Sequence, residues 1–217
     1  MLEHNGIIFQ WLGHDGFKIT HGGKTIYFDP YKLKPQHDKK DADLVMISHN
    51  HFDHLSVEDL ARVIGSNTHI VAARECVSKL NGVGASEVRG VAPGEKLTVQ
   101  GVAIEAVAAY NTNKTFHPKA DGKVGFVVTM NDVRIYHAGD TDIISEMEGI
   151  NPDVALVPVS GTYVMTAEEA ARSVNEKLKP KQIAIPMHYG TVVGSEKDAR
   201  TFSQLVSACP VKILNPD

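Results

Sequence analysis

The stretch LVMISHNHFDHLSVEDL, residues 44–60, places three histidines and an aspartate within six positions, directly behind an apolar run. The segment ADLVMIS (42–48) is short and continuously apolar, the pattern of a strand buried on both faces. Ser56 with Asp59 three positions on resembles a capping box, so a helix is expected to start there. The histidines thus fall on a loop between a strand and a helix. Side chains alternate sides along extended backbone, so His49, His51 and Asp53 can point the same way. His54 points away unless the chain turns, and the helix start supplies a turn. Zinc and similar ions take imidazole nitrogen and carboxylate oxygen, and a catalytic site keeps a position open for water. One short loop can therefore feed two adjacent metal centres. The competing reading is a polar loop whose histidines only cap the helix. It leaves four ligand-type side chains at one strand end without a reason.

Outward from this loop, IIFQWLG (7–13), GFKITHG (16–22) and KTIYFDP (24–30) read as strands, with HDG and HGGK as turns. THIVAA (68–73) is a further strand, and RECVSKLNG (74–82) a short helix stopping at Gly82. The second half repeats the scheme loosely. GVAIEAVAAY (101–110), GFVVTM (125–130) and VRIYHAG (133–139) are strands, the last two joined at Asn131-Asp132. DVALVPV (153–159) and QIAIPMH (182–188) are short buried strands. TAEEAARSVNEKL (166–178), capped by Thr166 with Glu169, is a helix, as is EKDARTFSQLVSA (196–208). Met165 and the apolar stripe of the 166–178 helix belong to the core. The irregular stretch NTNKTFHPKADGK (111–123) reads as an ordered loop near the site. Runs of strands followed by helices in each half imply an α/β fold of two packed sheets with helices outside. The expectation is one domain over residues 1–217.

With 42% hydrophobic and 22% charged residues, the chain can bury a sizeable core. Net charge is −4 and no basic block occurs, so the footprint of a nucleic-acid groove is missing. The N-terminal MLEHNGIIFQWLGHDG carries no signal-peptide pattern, and no apolar run reaches the length of a membrane span. Cys76 and Cys209 are far apart and form no CxxC pair, so a reduced cytoplasm is the expected setting. His4, His21, His37 and His69 have no partners in sequence and read as surface residues.

The pattern HNHFDH resembles the HxHxDH signature of the metallo-β-lactamase superfamily. Two later stretches agree in order: YHAGDTD, with Asp140 at the bridging aspartate, and IPMHYG, with His188 at the last histidine. The opening WLGHDGFKITHGGKTIYFDP is similar to the family's first strands, so the resemblance spans nearly the whole chain. More narrowly, it is to small metal-dependent hydrolases related to the ascorbate-6-phosphate lactonase branch. The resemblance implies a four-layer αββα sandwich, two mixed sheets face to face with helices outside. It implies His49 and His51 on one ion, Asp53, His54 and His188 on a second, and Asp140 between them. Zinc is the expected metal, with two ions.

At one place the chain departs from the family. Asn111 stands where most relatives carry a further histidine for the first ion. Three outcomes remain open: His117, six residues on, as ligand or substrate contact; Asn111 as a weak oxygen ligand; or a depleted first site. The last favours a single ion, or manganese.

Around the metals, Asp53, Asp140 and His14 are the candidate catalytic groups, His14 by its place near the family's pocket mouth. Tyr189 and Lys114, with His117, are candidate substrate contacts, and Lys119 flanks the same loop. Asp29 is expected to accept a hydrogen bond from a ligand histidine. His137 orients Asp140 or simply ends its strand, and Asp142 is expected to cap a helix. The implied activity is hydrolysis of an ester, lactone or phosphodiester by a metal-bound hydroxide. The partner is then a small-molecule substrate, with a homo-oligomer open. The alternative is a metal-binding protein of this fold with little turnover, in a regulatory or redox role.

Overall fold

A computed structural model describes all 217 residues. Seven strands make the first sheet in chain order: β1 (Leu2–His4), β2 (Ile7–Gly13), β3 (Gly16–His21), β4 (Lys24–Phe28), β5 (Ala42–Ile47), β6 (Ile64–Ala73) and β7 (Glu87–Val91). Strands β1 to β4 pair antiparallel, and β4 to β7 parallel. The second sheet runs β8 (Lys96–Val99), β9 (Val102–Ala108), β10 (Val124–Met130), β11 (Val133–His137), β12 (Val154–Pro158) and β13 (Ile183–Met187). It too starts antiparallel and turns parallel from β11 onward. The two halves therefore repeat one plan, and the fold is the expected αββα sandwich.

Parallel strands lie between layers and read as continuous apolar runs. Every residue of β12 and β13 is buried, and so is all of β5 except Asp43. A contiguous core reaches from Ile7 to Leu214, so the halves share one interior.

Helix α1 (Val57–Val63) starts where Ser56 Oγ accepts from Asp59 N at 3.2 Å. The box stays half-made, because the Asp59 carboxylate turns to Lys32 N and Leu33 N at 2.9 and 3.0 Å. Helix α2 (Ala167–Arg172) has the full reciprocal cap of Thr166 and Glu169, and continues as π-type turns over Ser173–Leu178. Helix α3 (Glu196–Leu205) lies beside α2. The 74–82 segment is a 3₁₀ helix, Arg74–Leu80, and residues 111–123 form the expected loop. No helix is long and apolar enough to cross a membrane.

Of the four histidines read as surface residues, His4, His21 and His69 are partly exposed, and only His37 is corrected. His4 meets Gln182 Oε1 at 2.7 Å, His21 meets Gly6 O at 2.9 Å and His69 meets Glu87 at 3.2 Å. His37 is buried, accepting from Lys34 N.

Candidate metal centre

The site lies at the C-terminal ends of parallel strands. Strand β5 delivers Ser48 and His49. The chain then turns, with His54 N and Leu55 N both donating to His51 O at 3.1 and 2.8 Å. That turn brings His54 to the same side as His49. Strand β11 delivers Asp140 through Gly139, whose φ of +59° and close neighbours, Ser48 Cβ and Val124 O at 3.1 Å, leave no room for a side chain. Strand β13 delivers His188, whose N–H donates to His14 O at 3.0 Å. His14, Asp29, His117 and His188 all hold positive φ.

Ring nitrogens of His49, His51 and His117 form one group with all ligand atoms within 4.8 Å of one another. His14, Asp53, His54 and His188 form another within the same limit. Asp140 stands between and divides its oxygens. Oδ2 lies 3.9 Å from His49 Nε2 and 3.6 Å from His117 Nε2. Oδ1 lies 3.3 Å from His54 Nε2 and 3.2 Å from His188 Nε2. The far sides of these rings are held. His54 Nδ1 donates to Asp29 Oδ2 at 2.8 Å, as expected of Asp29. Ser48 Oγ meets His49 Nδ1 at 2.9 Å, and Ser160 Oγ meets His188 Nδ1 at 2.8 Å. Such partners fix the ring orientation of a metal ligand.

The donor set fits metal ions. His49 Nε2, His54 Nε2, Asp140 Oδ1 and both Asp15 oxygens are buried with no hydrogen-bond partner. Unpartnered buried polar atoms are costly, and a cation among His49, His54 and Asp140, whose ligand atoms lie within 4.8 Å of one another, would satisfy these three. The charge balance agrees. Burial pushes His49 well below the usual imidazole range, and takes His14 and His117 down to about 4, so these rings are neutral. Burial also opposes charge on His54, yet Asp140 and Asp29 hold it at about 10. His188 is raised in the same way against its burial, by Asp140 and Asp15. Asp140 stays well below the carboxylate range because His188 and His54 outweigh its burial. Asp53, whose side chain is 14% exposed, is lowered because its His14 hydrogen bond and His54 outweigh burial.

Several expected roles are corrected. His14 is not at a pocket mouth. It is wholly buried, with Nε2 3.1 Å from Asp53 Oδ2 and its ring 4.0 Å from that of His188. Tyr189 follows His188 but faces the other way, its ring 4.7 Å from Trp11. Lys114 pairs with Asp142 and Lys119 with Glu146, so neither is free for a substrate. Asp142 caps no helix; it accepts from Thr112 N at 2.8 Å and anchors the 111–123 loop. His137 meets Asp15 O at 2.8 Å rather than Asp140. Asn111 donates its amide NH2 to the carbonyls of Phe116 and Tyr163, at 3.0 and 2.6 Å, while its Oδ1, the atom expected to meet a metal, stays buried without a partner. It is His117 whose ring nitrogen meets His51 Nδ1, at 3.0 Å.

Asp15 and Ser160 escaped the sequence reading. Asp15 is fully buried, and burial pushes its carboxyl up to about 8. Its only signal was the place beside His14 in an apparent turn, and Ser160 had none.

A metallo-β-lactamase sandwich with paired histidine–carboxylate clusters at its strand ends defines the class. The chain belongs to the family described as "Beta-lactamase superfamily domain", which matches residues 8–188. It is similar to the "UPF0173 metal-dependent hydrolase" of Pyrococcus horikoshii, 36% identical over 227 residues covering 95% of this chain and 96% of that one. The like-named protein of Methanopyrus kandleri is 32% identical over 213 residues, 90% of each chain. Among solved structures, Igni18, a metallo hydrolase from the archaeon Ignicoccus hospitalis, superposes with a TM-score of 0.79 at 26% identity, over 96% of this chain and 94% of that one. These relatives support hydrolase activity that depends on metal.

Proposed function

We propose that the protein hydrolyses an ester, lactone or phosphodiester at a pair of zinc ions. The observation that carries this reading is the division of Asp140, one oxygen toward His49 and His117 and the other toward His54 and His188. His49, His51 and His117 would hold one ion, and Asp53, His54 and His188 a second, with Asp140 available to both. The imidazole-rich set suits zinc better than an oxygen-seeking ion. Bound together, such cations supply an acidified water and stabilise negative charge on the attacked oxygen. Asp53, reachable from solvent and bonded to His14, would be placed to hold a proton at its carboxylate. Asp29, Ser48 and Ser160 keep the ligand rings aimed.

His51→Ala and Asp140→Ala should each cut turnover by about a thousandfold or more while the fold persists by circular dichroism. Full activity in both variants, or in metal-free protein, would sink the proposal.

A further inference from the structure

Above Asp140 and His117 opens a cleft of about 660 Å³, walled by Phe52, Phe116, Tyr163 and Val192. These four are 68, 51, 43 and 38% exposed. Large apolar groups gathered around a pocket mark a binding surface. They are held in place. Phe116 and Tyr163 meet edge to face at 5.1 Å, and Phe52 meets Tyr31 at 5.9 Å. Tyr163 keeps a φ of +68°, which a bulky side chain rarely adopts. Its carbonyl is fixed by the same Asn111 amide that fixes Phe116 O. Charge points the same way. Lys79, the one lysine on the cleft, donates to Asn50 O at 2.9 Å. Lys123, behind the site, is buried against Glu75 at 2.8 Å, and Lys114 is paired with Asp142. Lys79 is thus the one cation on the cleft lining, paired with no carboxylate and set against four apolar walls.

We propose that this cleft is an apolar subsite, and that the substrate is a carboxylic ester or lactone bearing an aryl or aliphatic acyl group. Phe116 and Tyr163 determine specificity, and Asn111 is a positioning residue that holds both. The substrate class rests on the hydrolase reading above. Hydrolysis adds one water: the acyl carbon gains the hydroxyl, its bond to the ester oxygen breaks, and that oxygen leaves with a proton as alcohol.

The test uses metal-loaded protein and para-nitrophenyl acetate, butyrate and octanoate. Octanoate should exceed acetate in kcat/KM by about tenfold or more, chiefly through KM. Phe116→Ala should shrink that ratio, and so should Val192→Asp, which lies on a separate loop. Asn111→Ala should raise KM for octanoate more than for acetate. Calorimetry with phenylbutyrate, acetate and inorganic phosphate reads the subsite without turnover, and phenylbutyrate should bind tightest. Ester turnover with a flat chain-length series, or tighter binding of phosphate, overturns the subsite and leaves the hydrolase reading standing. Phenylbutyrate binding with no turnover of any ester overturns the hydrolase reading and keeps the subsite. A dimer in sedimentation that Phe52→Ser dissolves would overturn the proposal, since a second copy would then cover the aromatics.

Discussion

Asp140 is the residue on which the site turns, because its two oxygens serve two sets of imidazoles. Asp140→Asn keeps the shape and removes the charge. It should lower metal occupancy and cut turnover by about a hundredfold or more, read by elemental analysis beside kinetics. Occupancy and rate both at wild-type level would contradict the bridging role. Proton balance gives a second prediction at this scale. In metal-free protein His14, His49 and His117 are neutral in the fold, with His14 and His117 lowered to about 4, but take up protons near 6.5 once unfolded. The unfolded chain then binds more protons, so stability falls as pH drops from about 6.5 toward 4. Asp15, raised to about 8, runs the other way across that window, one group against the lowered histidines. His54, held at about 10, and the raised His188 add stability below about 6.5 that is lost as pH rises through their folded values. The melting temperature of metal-free protein should therefore peak near neutrality. A steady rise from mildly acidic to strongly alkaline pH would count against this assignment.

At the scale of elements, two of the loops that build the site are tied together through one carboxylate. Glu75 accepts from Asn50 N at 3.1 Å in the HNHFDH loop and from the buried Lys123 at 2.8 Å at the end of the 111–123 loop. Glu75→Ala leaves the Lys123 ammonium with only Asp121, at 3.6 Å. Losing one partner of such a pair should cost about 2–4 kcal/mol by denaturant unfolding. A loss within about 0.5 kcal/mol, the range of ordinary surface substitutions, would show that the brace is not used. Gly139→Ala forces a β-carbon against Ser48 and Val124 at positive φ. It should cost about 1–3 kcal/mol and displace Asp140, so turnover falls with stability. The elements themselves were readable wherever they are buried, since β2 to β6 and β9 to β13 carry apolar runs or alternation. Three strands were missed, β1, β7 and β8, and all three are sheet edges. Unlike β13, an edge strand that is wholly buried, these cover little core, so EVRGV and KLTV keep exposed charges and lose the period that would reveal them.

At the scale of the whole molecule, two similar halves stack their sheets and bring β4, β5, β11 and β13 to one end, where the ligands gather. The ligands read from the sequence, His49, His51, Asp53, His54, Asp140 and His188, do converge, because short loops at the ends of buried strands leave little freedom. What sequence adjacency could not tell was side-chain direction. Tyr189 turns from its neighbour His188 toward Trp11, and Lys114 turns to Asp142. Nor could it show that Asn111 holds a loop while His117 takes up the position beside His51. The central claim, a pair of centres completed by His117, is tested most directly by metal stoichiometry in protein purified without added metal. The account predicts about two zinc ions per chain, falling toward one in His117→Ala. A single ion in the wild type, or occupancy unchanged by the substitution, would contradict it.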